Sequence, residues 1–467
     1  MNNRSMRRRG WAALALLGAG ALVAGGCSTD RLLQVKDPAI ATPGSLATKD
    51  ALPTLYAGAI GDFQVAYSGS SDGNNEGYLL VSAVMTDEFR DADTYPTRIA
   101  TDQRAQQPVN MGNTSDAAFT MLQRARHSSA TAADAIAGAA DLKDRDPRIA
   151  TLRSLEGLTY VALGEGFCGY IPFSDVVGGV QQPGTPLTQA QVWDEAVKRF
   201  DDALAVDPSF DLARVAKGRA LLDKGDYAGA AAAVANVPTS FVWFVEHSEN
   251  SGRQNNPVYT IASSNGRYSV ADTEGVNGMP FRSAGDPRVV WTDKGGNGFD
   301  GTTRMFLDLR YPTYSSNAAV ATGVEARLIE AEAALKTGDV PGWLGKLNDL
   351  RANVGSLMVG MVPDYANQIK KNGAIATALA PLTDPGSQAA RENLMFSERA
   401  FWLYTTGHRL GDLRRLVRQY GRTQDQVFPS GAYFKGNDYG ADVAFPIPFN
   451  EIQNTNYTPN QCDVKKA

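Results

Sequence analysis

One stretch near the start of the chain is apolar throughout, and no later run approaches its kind. From Trp11 to Gly26 there is no charge and many side chains are small, while Arg4, Arg7, Arg8 and Arg9 stand just before it. As a helix the run reaches about 24 Å, short of the roughly 30 Å of a bilayer's hydrocarbon core, so it predicts a removable signal peptide over 1–26 and not a permanent span. A polar stretch carrying Pro38 and Pro43 follows and predicts an extended tether over 27–50. Beyond it apolar residues recur at helical intervals. Helix is expected from about Ala51 to Ile60. After the loop SGSSDGNNEG (68–77) it resumes through Leu79, Leu80, Val84 and Asp87-Glu88-Phe89. Further helices are expected over Ala117–Ala140, over 147–168 and, as a single final helix, over 392–421. Residues 90–116 are long, polar and irregular, the kind of excursion that carries function.

The clearest periodicity lies between 189 and 237. Ala196, Phe200, Ala203 and Leu204 recur at helical spacing before Asp207-Pro208. Ala213, Gly218, Leu221 and Leu222 then lead to the turn Lys224-Gly225-Asp226, and Ala230 and Val234 continue beyond it. Small residues at helix crossings with a Gly-Asp turn between antiparallel helices are what a tetratricopeptide-type hairpin needs. The layout returns over 324–355 around Thr337-Gly338-Asp339. A helix bundle without regular repeats is the competing reading. Between the two units, 240–317 is rich in Gly, Asn, Ser and aromatics, with a β-hairpin expected around Asn265-Gly266. The predicted fold is mostly α: tetratricopeptide-like helical hairpin repeats with an inserted irregular, loop-rich lobe carrying short β-hairpins. The boundaries are 51–239 for the N-terminal helical part, 240–317 for the lobe and 318–467 for the C-terminal helical part, with 51–467 one globular unit.

Charge and cysteines narrow the setting. With the four leader arginines removed, the 45 basic residues fall to 41 against 50 acidic ones, a net charge near −9, which argues against nucleic acid as a partner. Leu22-Val23-Ala24-Gly25-Gly26-Cys27 resembles a lipoprotein box, with Ala24 where Leu or Val is usual. Cys27 would then become the mature N-terminus and carry acyl chains such as palmitate, several of which anchor far more firmly than one. An ordinary secreted protein cut elsewhere is the alternative. Two cysteines remain, Cys168 and Cys462, and an exported chain with one leftover pair invites a disulfide; two buried thiols are the other possibility.

Four stretches together resemble the SusD/RagB-like outer-membrane nutrient-binding lipoproteins. They are Cys27 with Leu32-Leu33-Gln34-Val35, Asp37-Pro38 and Thr42-Pro43; ARLIEAEAALKTGD with Leu347-Asn348 and Leu350-Arg351; SERAFWLYTTGHRLGDLRR; and Phe445-Pro446-Ile447-Pro448 with Glu451-Ile452 and Asn454-Thr455-Asn456. The resemblance spans nearly the whole chain and rests on the set. It implies repeats forming one side of a helical protein and irregular loops holding ligand on the other. It also implies nutrient uptake at the cell surface as a lid on a TonB-dependent, SusC-like barrel transporter, with a glycan the expected cargo.

The residues themselves point to binding and not to catalysis. His127, His247 and His408 lie far apart without metal spacing, and no nucleophile elbow or phosphate loop is present, so no catalytic residue, metal or cofactor is assigned. Arg409, Asp412, Arg414 and Arg415 around His408 read as an ion-pair network, and Glu330 and Glu332 face apart on their helix. Sugar rings stack on aromatic faces while Asn, Asp and Arg reach hydroxyls. The ligand candidates are therefore Tyr67 and Tyr78 flanking Asn74 and Asn75; Tyr95 with Arg90 and Arg98; and Trp291, Tyr311 and Tyr314. Trp193, Trp343 and Trp402 fall on amphipathic helices and are expected in the core. Two further readings stay open: a tetratricopeptide-type envelope adaptor, and a lipid-anchored glycoside hydrolase, which would need two carboxylates facing each other across a cleft.

Overall fold

A computed structural model describes residues 49–107, 111–139, 146–177, 180–365, 367 and 376–467. The signal peptide, Cys27 and nearly all of the tether lie outside the described residues. Among the described residues no helix is long and apolar enough to cross a membrane.

The chain opens with α1 (Leu52–Ser68), α2 (Gly77–Met85) and the strand β1 (Phe89–Asp91). The helix expected to continue through Asp87-Glu88-Phe89 thus stops at Met85, because Phe89–Asp91 pairs antiparallel with a distant strand. The excursion after it holds a short helix, α3 (Pro96–Asp102), with proline in its first turn. Next come α4 (Ser115–Ala137) and α5 (Pro147–Gly166), the latter capped by Asp146, whose carboxylate accepts the Arg148 amide at 2.9 Å. A two-stranded ribbon, β2 (Asp175–Val177) and β3 (Val180–Gln182), leads to α6 (Gln189–Val206). The α6 helix starts in a capping box between Thr188 and Gln191.

The repeat pattern is realised in α7 (Asp211–Lys224) with α8 (Tyr227–Val234), and in α9 (Gly323–Thr337) with α10 (Val340–Ala352). The two turns share one geometry. Gly225 and Gly338 take left-handed backbones, φ 81° and φ 80°. Asp226 and Asp339 then cap the next helix, each accepting an amide hydrogen at 2.9 Å, from Gly229 and Gly342. Only glycine enters that conformation without strain, and the aspartate satisfies an otherwise orphaned donor, so the Gly-Asp pair specifies a helical hairpin.

The lobe between these units contains β4 (Val242–Val245), β5 (Tyr268–Val270), β6 (Trp291–Asn297) and β7 (Arg304–Asp308), and β8 (Ala318–Thr322) leads out of it. The pairs are β1–β5, β4–β8 and β6–β7, all antiparallel. The hairpin expected at Asn265-Gly266 does not form. Val258–Ser264 is a π-helical turn that buries Val258, Ile261 and Ala262, and β5 pairs with β1 instead. Burial of the 258–262 side chains at helical spacing outweighs the local Asn-Gly turn preference.

After α11 (Val354–Met361), the final helix expected over 392–421 is two: α12 (Gln388–Trp402) and α13 (Arg409–Tyr420). Between them Thr405 and Gly407 adopt positive φ, 49° and 76°. Long-range bonds hold the break. Glu88 Oε1 accepts the Thr405 amide at 2.7 Å, Tyr311 donates to the Thr405 carbonyl at 2.7 Å, and Tyr67 donates to the Thr406 carbonyl at 2.6 Å. Residues Leu52–Ala467 form one compact unit, with Trp193, Trp343 and Trp402 in its core.

The network expected around His408 is present and buried. Arg399 grips Asp412 through two bonds of 2.8 and 2.9 Å, Arg415 bonds Asp412 at 2.7 Å and also Glu332, and Arg409 pairs with Asp87 at 2.8 Å. His408 Nε2 lies 3.1 Å from Glu325. Arg414 differs, donating to the carbonyls of Gly164, Glu165 and Phe167. Cys168 and Cys462 are joined, with Cα atoms 5.2 Å apart.

Glu88 gives a pH prediction. Burial pushes its carboxyl up to about 8, against the hydrogen bond from the Thr405 amide, and its Oε2 is buried without a partner. The neutral acid is the form that the fold favours. Its stability contribution is therefore intact below the ordinary carboxylate value and is lost as pH rises through about 8. Glu88→Gln should track wild type at pH 5 and exceed it by about 2 kcal/mol at pH 9. Urea unfolding at the two pH values checks this, and a gap that does not change with pH contradicts it.

Candidate functional site

Tyr95 and Phe299 are among the most exposed aromatic side chains described, at 52% and 54%. Arg267 brings them together. Its guanidinium lies 3.4 Å from the centre of the Phe299 ring and 5.6 Å from that of Tyr95. It is held there by Asp93 at 2.7 Å. Arg98 supports Tyr95 from behind, 5.2 Å from its ring centre, while its nitrogens bond Glu76 and Asp93 at 2.5 Å each. Buried as it is, the Asp93 carboxyl is held below the usual range by hydrogen bonds from Arg98, Thr94 and Arg267.

The backbone fixes this arrangement. β1 and β5 are paired, and just beyond them the Ala92 amide donates to the Arg267 carbonyl at 2.8 Å. The Phe299 amide donates to the Gly266 carbonyl and the Asp300 amide to the Ala92 carbonyl, both at 2.9 Å. Asp300 closes its own turn by accepting the amides of Thr302 and Thr303, which helps hold its carboxyl far below the normal range despite partial burial. Lys435 bonds Asp91, Asp300 at 3.0 Å and the Asp93 carbonyl at 2.7 Å. Burial pushes the Asp91 carboxyl up to about 7, against the pull of Lys435. Next to Lys435, Phe434 is 39% exposed, with the guanidinium of Arg90 5.3 Å from its ring centre. Arg90 also faces Glu274 at 3.7 Å.

The result is a set of exposed rings, each steadied by a cation that is itself paired with a carboxylate. Such rings lose little freedom on binding and offer apolar surface beside charged groups.

Of the candidates read from sequence, Tyr95, Arg98 and Arg90 fall at this patch. Arg98 is buried, so it positions Tyr95 and offers no free donor face. Tyr67, Tyr78 and Tyr311 are corrected to core residues, exposed by 1% or less. Tyr67 and Tyr78 extend the apolar faces of α1 and α2, and Tyr67 stacks on Phe63 one helical turn earlier, at 5.7 Å. Their hydroxyls are spent inside the fold, Tyr78 on Glu165 and the other two on the α12–α13 break. Asn75 is half-buried in the loop before α2, and the side chain of Asn74 lies outside the described residues. Trp291 is half-buried edge-on to Phe306 at 5.4 Å, and Tyr314 edge-on to Tyr259 at 4.8 Å.

The sequence reading missed Phe299, Arg267, Phe434 and Lys435 as site residues. Phe299 and Phe434 each lie among glycines, in GNGFDG and SGAYFKG, which is the signal that was available.

No family model matches this sequence, and no curated protein matches it. Among solved structures the chain is similar to a SusD/RagB family protein from Bacteroides thetaiotaomicron, at TM-score 0.62 and 11% identity over 86% of this chain and 94% of that one. It is similar to a laminarin binding SusD-like protein at TM-score 0.61 and 13% identity, covering 88% and 98% of the two chains. A SusD-like carbohydrate binding protein from Bacteroides vulgatus gives TM-score 0.55 and 14% identity, covering 78% and 82%. Identities this low speak for architecture alone, and at that level the chain is SusD/RagB-like in fold.

Proposed function

We propose that this protein is a nutrient-binding receptor that takes a glycan on the Tyr95–Phe299 patch, is anchored at the outer membrane through acylated Cys27, and passes its cargo to a TonB-dependent barrel transporter. The observation that carries the reading is the pair of exposed rings clamped about Arg267. Ring faces suit the C–H faces of sugars, and the rim of paired Arg, Lys and Asp side chains suits hydroxyls. The similar structures include proteins described as carbohydrate binding and laminarin binding, which supports a glycan over other cargo. The leader and the cysteine that ends it support the anchor, and the family resemblance supports the transporter.

Calorimetry with glycans selected on an array tests the binding step. Tyr95→Ala and Phe299→Ala should each weaken binding five- to tenfold, about 1 kcal/mol of lost stacking. Affinities unchanged in both variants would remove the patch from the site.

A further inference from the structure

A second concavity shares no residue with the ring patch. It encloses about 310 Å³, at the small end of the range for ligand sites, and is lined by Tyr56, Ile60, Phe63 and Gln64 of α1, Thr151 of α5, Phe210, residues 243–245 of β4 and Glu246 just after the strand. The strand supplies neighbouring residues because the β4–β8 register slips between Trp243 and Phe244, which breaks the alternation that would send one of the two rings away. Five aromatic side chains thus wall one small space.

Its polar groups have one character. Glu246 is exposed at the rim and has no hydrogen-bond or ion-pair partner among the described residues. Gln64 has its amide nitrogen committed to the Arg253 carbonyl at 3.1 Å and His247 Nδ1 at 3.2 Å, and its Oε1 accepts from no described donor. Burial pushes the His247 imidazole down to about 4, so it carries no charge at neutral pH. The nearby cations are already taken, Arg148 by Asp146 at 2.7 Å and Arg253 by Asp62 at 2.7 Å. Ring faces, a free carboxylate and a spare carbonyl together favour a ligand with a flat apolar body and a positively charged, hydrogen-donating head.

We infer that this pocket is a binding site for a compact aromatic amine, with the ring body against Trp243, Phe244 and Phe63 and the ammonium group toward Glu246 and Gln64 Oε1. The test uses the full mature protein with two probes of one ring and opposite charge, tryptamine and indole-3-acetate, titrated by calorimetry. Tryptamine should bind saturably and at least tenfold more tightly than indole-3-acetate. Glu246→Gln, on an exposed side chain that folding does not depend on, should weaken tryptamine about tenfold. Trp243→Ala should abolish the binding. Absence of saturable binding, equal affinity for both probes, or an unchanged affinity in Glu246→Gln overturns the assignment. Because the ring patch has its own residues and its own glycan assay, either site can fail without the other.

Discussion

Replacing Asp412 by asparagine should cost about 3–5 kcal/mol of folding stability, among the largest effects any single side chain here can have. Asp412 is buried at the start of α13 and accepts three charged hydrogen bonds, two from Arg399 and one from Arg415. Burial alone would raise its carboxyl. The two guanidiniums reverse that and hold it far below the ordinary range. Asparagine keeps the shape, but it removes the charge that offsets two buried cations and turns a donor toward donors. Glu332 remains on Arg415, and it lies 3.7 Å from Arg399, too far to replace the lost pair of bonds. The pH sign is opposite to that of Glu88: the Asp412 contribution is present above the ordinary aspartate value and is lost as pH falls through its depressed one. Urea midpoints at pH 7 measure the cost, and a loss below about 1 kcal/mol would mean that the network is not stabilising as a unit.

Breaking the Cys168–Cys462 link should cost about 2–5 kcal/mol. The bridge closes a loop across 294 positions, so the unfolded chain is strongly constrained by it. Chain-entropy reasoning gives about 6 kcal/mol as a ceiling. The folded side is prepared for the link. The Cys168 amide donates to the Phe445 carbonyl at 3.0 Å, and the amides of Val443 and Ala444 both reach the Val464 carbonyl. Cys168→Ser with Cys462→Ser should lower the thermal midpoint by several degrees relative to the oxidised protein and should abolish its response to reductant. If the double variant unfolds at the wild-type midpoint, the tail comes loose before the rest of the fold and the bridge constrains only that end.

How far the sequence could be read follows from how local each cause is. The Gly225-Asp226 and Gly338-Asp339 turns were legible because one residue supplies the left-handed backbone and the next the cap. The tryptophans of the helical faces were legible from spacing alone. The α12–α13 break was not, since residues 403–408 are bent by bonds from Glu88, Tyr67 and Tyr311, all distant in sequence. The Asn265-Gly266 signal misled for the same reason: β5 finds its partner in β1.

The site divides likewise. Tyr95 beside two arginines was visible in one short excursion, whereas Arg267, Phe299, Phe434 and Lys435 come from three other segments and meet only after folding. Tyr67 and Tyr78 were misplaced because a tyrosine at the edge of a loop in sequence can be the last turn or first turn of a buried helix.

In the proposed glycan site Tyr95 and Phe299 form the floor. Oxidative footprinting of the mature protein, with and without a glycan that calorimetry has shown it to bind, tests that placement directly. The prediction is that both rings become protected as the sugar saturates, while the half-buried Trp291 and Tyr314 keep their reactivity. Full reactivity of Tyr95 and Phe299 in the saturated complex would contradict it.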